Sequence, residues 1–153
     1  MSDHSLTARI PVAALLLGLA GLIPFAAGAA SLWVPLPLLP PETGLRLVVI
    51  YGAIILSFLG GIRWGTAIGP YDASRQAPEF AASVMGSLAG LSAAFLPAIP
   101  ALAMLIAGFL VQGLWDVMSV ESGRRPAWFG RLRMILTAGA VISLVAALLS
   151  LLI

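Results

Sequence analysis

An all-α polytopic membrane protein, a bundle of five transmembrane helices forming one domain over residues 1–153, is the architecture the sequence predicts. Two bulk properties point to it first. Mean hydropathy is +1.08 and only 9% of residues are charged, whereas a soluble domain carries about 25% charge. The third observation is arrangement. Apolar stretches over about 10–30, 45–68, 80–96, 101–117 and 132–153 each approach the ~20 residues that carry a helix across a bilayer core.

The first stretch follows a polar head ending at Arg9. The small-residue run Ala26-Ala27-Gly28-Ala29-Ala30 resembles a signal-peptide cleavage region, but the apolar segment is long for one, so it is read as a retained span. Pro24 inside it removes a backbone hydrogen bond and predicts a kink. Pro35, Pro37, Pro40 and Pro41, with Trp33 and Glu42, make the next segment a loop, because closely spaced prolines cannot continue a helix. Span two follows, and Gly69 to Glu79 reads as a polar connection carrying Asp72, Arg75 and Glu79. Span three ends at Pro97 and Pro100, which force a reversal into span four. Met118 to Arg131 is the most polar part of the chain, and span five fills the remainder. LAGL at Leu19–Leu22 recurs at Leu88–Leu91, a weak echo that leucine-rich helices produce easily by chance.

When five spans alternate sides, Arg9, Arg63, Arg75, Arg124, Arg125, Arg131 and Arg133 fall on one side and Arg46 alone on the other. Basic residues near span ends are retained in the cytoplasm, so this split predicts a cytoplasmic N-terminus and a C-terminus outside. Trp64, Trp115 and Trp128 lie at the same end, as an interfacial aromatic belt requires, and Arg124, Arg125, Arg131 and Arg133 are read beside them as interfacial residues, first as the topology signal itself and alternatively as a hold on anionic lipid headgroups. The net charge of +2 comes from arginines crowded at span ends rather than from a basic face, which excludes a nucleic-acid partner. The partners expected are the bilayer itself and either a membrane protein or further copies of this chain.

Arg63 and Asp116 are the charges closest to the membrane interior, and intramembrane ionisable residues are functional candidates by default. With Gln112 one turn before Asp116, they form either a structural ion pair or the polar floor of a site. The structural reading is favoured, because a relay across the membrane needs ionisable groups at greater depth. Only Ser57, Ser87, Ser92, Thr137, Ser143 and Tyr51 offer polar atoms there. Small residues recur every fourth position at Ser57, Gly61 and Gly65, at Ala82, Gly86, Gly90 and Ala94, and at Gly139, Ser143 and Ala147. Each set shares one helix face and reads as a packing seam.

Cysteine is absent, and the one histidine, His4, lies in the polar head. No metal or other cofactor is therefore expected within the membrane. The chain has no GxSxG, P-loop or HExxH pattern, and its six acids fall mostly in loops, so it is not expected to be an enzyme.

AGLIPF at Ala20–Phe25, ILSFLGGIRWG at Ile55–Gly65, Trp115-Asp116 and PAWFGRLR at Pro126–Arg133 resemble the uncharacterised membrane family that includes mitochondrial transmembrane protein 69. The resemblance implies a small polytopic protein of the bacterial inner membrane with no assigned reaction, and it supplies no catalytic residues. Two functions follow as expectations. One is a non-catalytic accessory subunit or assembly factor of a membrane complex, with respiratory complexes among the candidates. The other is a small-solute, proton or lipid transporter using a polar site at the cytoplasmic ends of spans two and four.

Overall fold

The computed structural model describes residues 9–69, 73–121 and 125–153. Among them are six α-helices and no strand: α1 Val12–Ala20, α2 Ile23–Ala30, α3 Pro41–Ala67, α4 Ala73–Phe95, α5 Ala98–Glu121 and α6 Ala127–Ser150. Four stretches are long and apolar enough to cross a membrane: Val12–Ala30, Pro41–Ala67, Ala98–Val120 and Ala127–Ser150. Helix α4 has the length, with 23 residues, but Arg75, Gln76 and Glu79 in its first turns lower its apolar character. The polar connection expected before Glu79 is thus largely helical. From Ala73 onward, polarity marks the first turns of a helix, not a loop.

The proline in span one does what its chemistry requires. Pro24 has no N–H to offer Ala20, and α1 stops at Ala20 before α2 resumes at Ile23. The joint stays right-handed, tightened by Leu22 N–H donating to the Leu19 carbonyl at 3.0 Å. The Tyr51 hydroxyl of α3 donates to the Gly21 carbonyl at 3.0 Å and so satisfies the opened backbone. Helix α3 begins earlier than its apolar stretch, with Pro41 in its first turn and Glu42 complementing the helix dipole. Trp33 ties the preceding loop to the far end of α6 by donating to the Ala146 carbonyl at 3.1 Å.

Phe25, Val48, Leu56, Leu102, Leu105, Phe109 and Leu144 form the centre of the core. The Phe25 ring meets those of Tyr51 and Phe109 edge-on, with centroids 5.1 and 5.6 Å away. Outward positions are as apolar as inward ones: Leu17, Ile54, Phe58, Val111 and Ile142 are all exposed. Such a surface is untenable in water and suited to lipid.

Helices α3 and α4 run antiparallel at close range. A Cβ at Gly86 would lie 2.7 Å from the Leu56 carbonyl oxygen, one at Gly90 2.7 Å from that of Ala53, and one at Gly60 would strike the Ser83 carbonyl oxygen. The Ser57 and Ser87 hydroxyls bond across the same seam at 2.8 Å. Gly86 and Gly90 therefore lie in this seam. Gly61 and Gly65 do not, since a Cβ at either would meet nothing within 4 Å. The seam on α3 is turned by one residue: Gly60 shares the inward stripe with Leu56 and Arg63, which places Gly61 and Gly65 outside.

Candidate functional site

One end of the bundle collects the charges. Asp116 on α5 is 2% exposed. Arg125, just before α6, donates through Nη1 to Asp116 Oδ1 at 2.6 Å, and Arg133 on α6 donates through Nε to Oδ2 at 2.7 Å. Arg125 also reaches α3, donating through Nη2 to Thr66 Oγ1 at 3.1 Å. Arg63 on α3 lies 3.8 Å from Glu79 of α4 and stacks 4.2 Å above the Trp115 ring. Four helices are thus clasped by charge at one level. A buried carboxylate is tolerated only when paired and hydrogen-bonded, and Asp116 has a guanidinium on each oxygen.

Arg63, Gln112 and Asp116 are all buried toward this end, but the partners described for Arg63 and Asp116 differ from the Arg63–Asp116 pair that the sequence allows. Asp116 is held by Arg125 and Arg133, and Arg63 lies against Glu79. Gln112 is buried with no hydrogen-bond partner for Nε2. Arg125 and Arg133, read as interfacial residues, turn inward instead, with side chains 8% and 7% exposed. The reason is electrostatic: without them the Asp116 carboxylate would be buried uncompensated. Arg131 keeps an exposed position, and Trp64 is half exposed with its ring 4.7 Å from Phe80. Trp115 lies beneath Arg63. Arg124, Tyr71, Asp72 and His4 lie outside the described residues.

Helical periodicity is the signal that places these arginines. The buried positions Arg133, Ala140, Leu144 and Ala147 of α6 follow one stripe, and Arg131 falls off it. Leu56, Leu59, Arg63 and Ala67 make the equivalent stripe on α3. Glu79 and Ser83 lie on the inward face of α4.

Beside the cluster is a cleft of about 430 Å³ between span one, α3, α5 and α6. Trp128, Phe129 and Ala14 line its charged end, and Tyr51, Phe25 and Ala140 its deep end. Those limits are twelve residues apart on α6, roughly 18 Å at the helical rise. Leu17 and Phe58 are lining residues that are also exposed, so the cleft opens sideways toward lipid. Its walls are apolar apart from Tyr51, Thr137 and Arg133. Arg133 therefore belongs to both the clasp and the cleft, and its Nη2 is buried with no hydrogen-bond partner, as is Thr137 Oγ1 one turn deeper. Among the described residues, no group of acidic side chains or histidines is placed to hold a metal.

Helices of this length and apolarity, closed by an internal charge clasp, define a multi-pass α-helical membrane protein. Residues 10–149 match the model of a family described as protein of unknown function (DUF3429), and the chain belongs to that family. It is 40% identical over 151 aligned residues to transmembrane protein 69 of Xenopus tropicalis, a match that covers 92% of this chain and 55% of that protein. The chain thus spans about half the length of this relative. No solved structure matches.

Proposed function

We propose that this chain is a non-catalytic protein of the bacterial inner membrane that takes a lipid-like amphiphile from the bilayer into the lateral cleft. The observation that carries this reading is the cleft itself: about 430 Å³, walled by apolar side chains and opening toward lipid between Leu17 and Phe58. Binding suits the polar groups better than chemistry does. Asp116 already has a guanidinium on each oxygen, which makes it a poor general base. The same saturation weakens the alternative of a proton or small-solute path through Arg63, Gln112 and Asp116.

In this proposal the chain crosses five times, with α4 as the third span, the N-terminus in the cytoplasm and the C-terminus in the periplasm. The antiparallel run of α4 along α3 supports the fifth crossing, and the arginine asymmetry supports the orientation. Extraction in a mild detergent followed by mass spectrometry of bound lipid tests the function. Bound amphiphile is expected at near one per chain, falling at least about tenfold in Ala14→Trp, which fills the cleft from span one. Equal lipid on the wild type and on a folded Ala14→Trp variant would contradict it.

One observation favours a second reading, an accessory subunit or assembly factor of a membrane complex, with respiratory complexes among the candidates. Gly61 and Gly65 leave an open strip on the outer face of α3 that would accept a neighbouring helix closely. On this reading the extracted protein migrates on native gels within a larger assembly, and Gly61→Leu dissociates it. Migration of the wild type as a lone chain counts against it.

A further inference from the structure

We propose that the amphiphile in the cleft is anionic, with its head seated against Arg133 at the charged end and its apolar chain running toward Tyr51. This rests on the cleft-binding reading above and adds the chemical class of the ligand.

Charge is the first indication. Arg125 and Arg133 share the carboxylate of Asp116, and of the two Arg133 lines the cleft. Among the described residues that local group carries one excess positive charge in a poorly solvated region, where an uncompensated charge is expensive. An anion entering beside Arg133 balances it.

A missing acceptor is the second. Arg133 is 6% exposed, lines the cleft and has its Nε committed to Asp116, yet Nη2 has no hydrogen-bond partner. Thr137, one turn deeper on the same helix, also lines the cleft, with its Oγ1 turned toward Gly113 of α5. Buried donors are almost always satisfied, so an unmatched guanidinium nitrogen on a residue that lines an apolar cleft points to an oxygen-rich ligand head. A phosphate or carboxylate offers several acceptor oxygens to a guanidinium fork, whereas a choline head offers a cation beside a cation.

Shape is the third. The space continues from Arg133 past Leu136 and Ala140 to Phe25 without another charged side chain in its lining. A free anion would leave that length unfilled by apolar contact, and a purely apolar molecule would leave the arginine unanswered. An amphiphile with one anionic head matches both ends.

Native mass spectrometry of the full chain in a neutral detergent tests this with three probes: phosphatidylglycerol, phosphatidylcholine of the same acyl chains, and glycerol 3-phosphate. Phosphatidylglycerol is expected to bind at least about tenfold more tightly than phosphatidylcholine, as a charge-assisted hydrogen bond would give. Glycerol 3-phosphate is expected not to bind. Arg133→Gln should bring phosphatidylglycerol down to the phosphatidylcholine level, with thermal unfolding measured alongside. Arg133→Lys retains the ion pair with Asp116 but lacks the Nη2 donor, and it should lose at least about threefold if Arg133→Gln does not fold.

Equal binding of both lipids to the wild type overturns the anionic head and leaves the cleft reading standing. No binding of either lipid removes both. A preference for phosphatidylglycerol that survives unchanged in both Arg133 variants assigns it to surface arginines and overturns the site. Tight binding of glycerol 3-phosphate alone overturns the amphiphile.

Discussion

Over its second half, from Tyr51 onward, the two sides of α3 solve the same packing problem in opposite ways. Toward α4, glycines and serines let the backbones approach until Gly86 and Gly90 face carbonyl oxygens directly. Toward span one the contact divides: Gly28 and Gly44 bring α2 and the start of α3 together closely, whereas from Tyr51 onward Ile55, Phe58 and Ile62 border the space that is the cleft. Helix α1 buries none of its residues. In lipid, helix association comes from close packing and interhelical hydrogen bonds rather than from the hydrophobic effect. The stretch where α3 turns bulky residues toward span one is therefore weakly closed, and here it borders the bilayer. The charged clasp limits how far that looseness spreads, because α3, α5 and α6 remain tied together through Asp116, Arg125, Arg133 and Thr66.

Removing the clasp should have the largest effect. Asp116→Ala leaves Arg125 and Arg133 buried without their carboxylate, and a loss of about 3–5 kcal/mol is expected from breaking such a pair. Thermal unfolding in detergent measures it, and a cycle with Arg133→Gln should show strong non-additivity between the two sites. Next comes the tight seam. Gly90→Leu drives a side chain into the α3 backbone at Ala53, and the expected loss is at least about 1–3 kcal/mol. An unchanged unfolding temperature in that variant would show that α3 and α4 are not held at this range.

Much of this contrast is legible in the sequence, and the rest is hidden for definable reasons. Hydropathy locates the apolar spans, and Pro24 locates the break in the first of them. Fourfold spacing finds Gly86 and Gly90, but on α3 it selects Gly61 and Gly65 although Gly60 makes the contact. Two adjacent glycines leave the phase of the stripe undecided until neighbouring residues are placed. Arg63, Gln112 and Asp116 stand out as charged or polar residues at depth. Arg125 and Arg133 do not, because a cluster of arginines at a span end looks the same whether it faces headgroups or turns inward. What separates Arg133 from Arg131 is its place on the buried stripe with Ala140 and Leu144. AGLIPF, ILSFLGGIRWG and PAWFGRLR supply much of the cleft's lining, but no spacing within one motif reveals it, since the space arises between residues contributed by separate helices.

Two smaller effects sharpen the comparison. Tyr51→Phe deletes the hydrogen bond to the opened Gly21 carbonyl. A loss of about 0.6 kcal/mol is expected, in line with interhelical bonds in membranes. Hydrogen exchange should report it as faster exchange confined to the joint between α1 and α2. Gly61→Leu projects into open space, so the isolated chain should change by less than about 0.5 kcal/mol. A large loss there would mean that the outer face of α3 is covered in the extracted protein.

The central claim, that the loose side of the bundle holds a lipid-like chain, is tested most directly by crosslinking with a phospholipid bearing a photoactivatable group in its acyl chain. Peptide mapping after irradiation should find the label concentrated on the cleft walls, at Leu17, Phe58 and Leu136, and depleted there in Ala14→Trp. Label spread evenly over lipid-facing residues such as Ile54, Val111 and Ile142, with the cleft walls no richer than these, would contradict the claim.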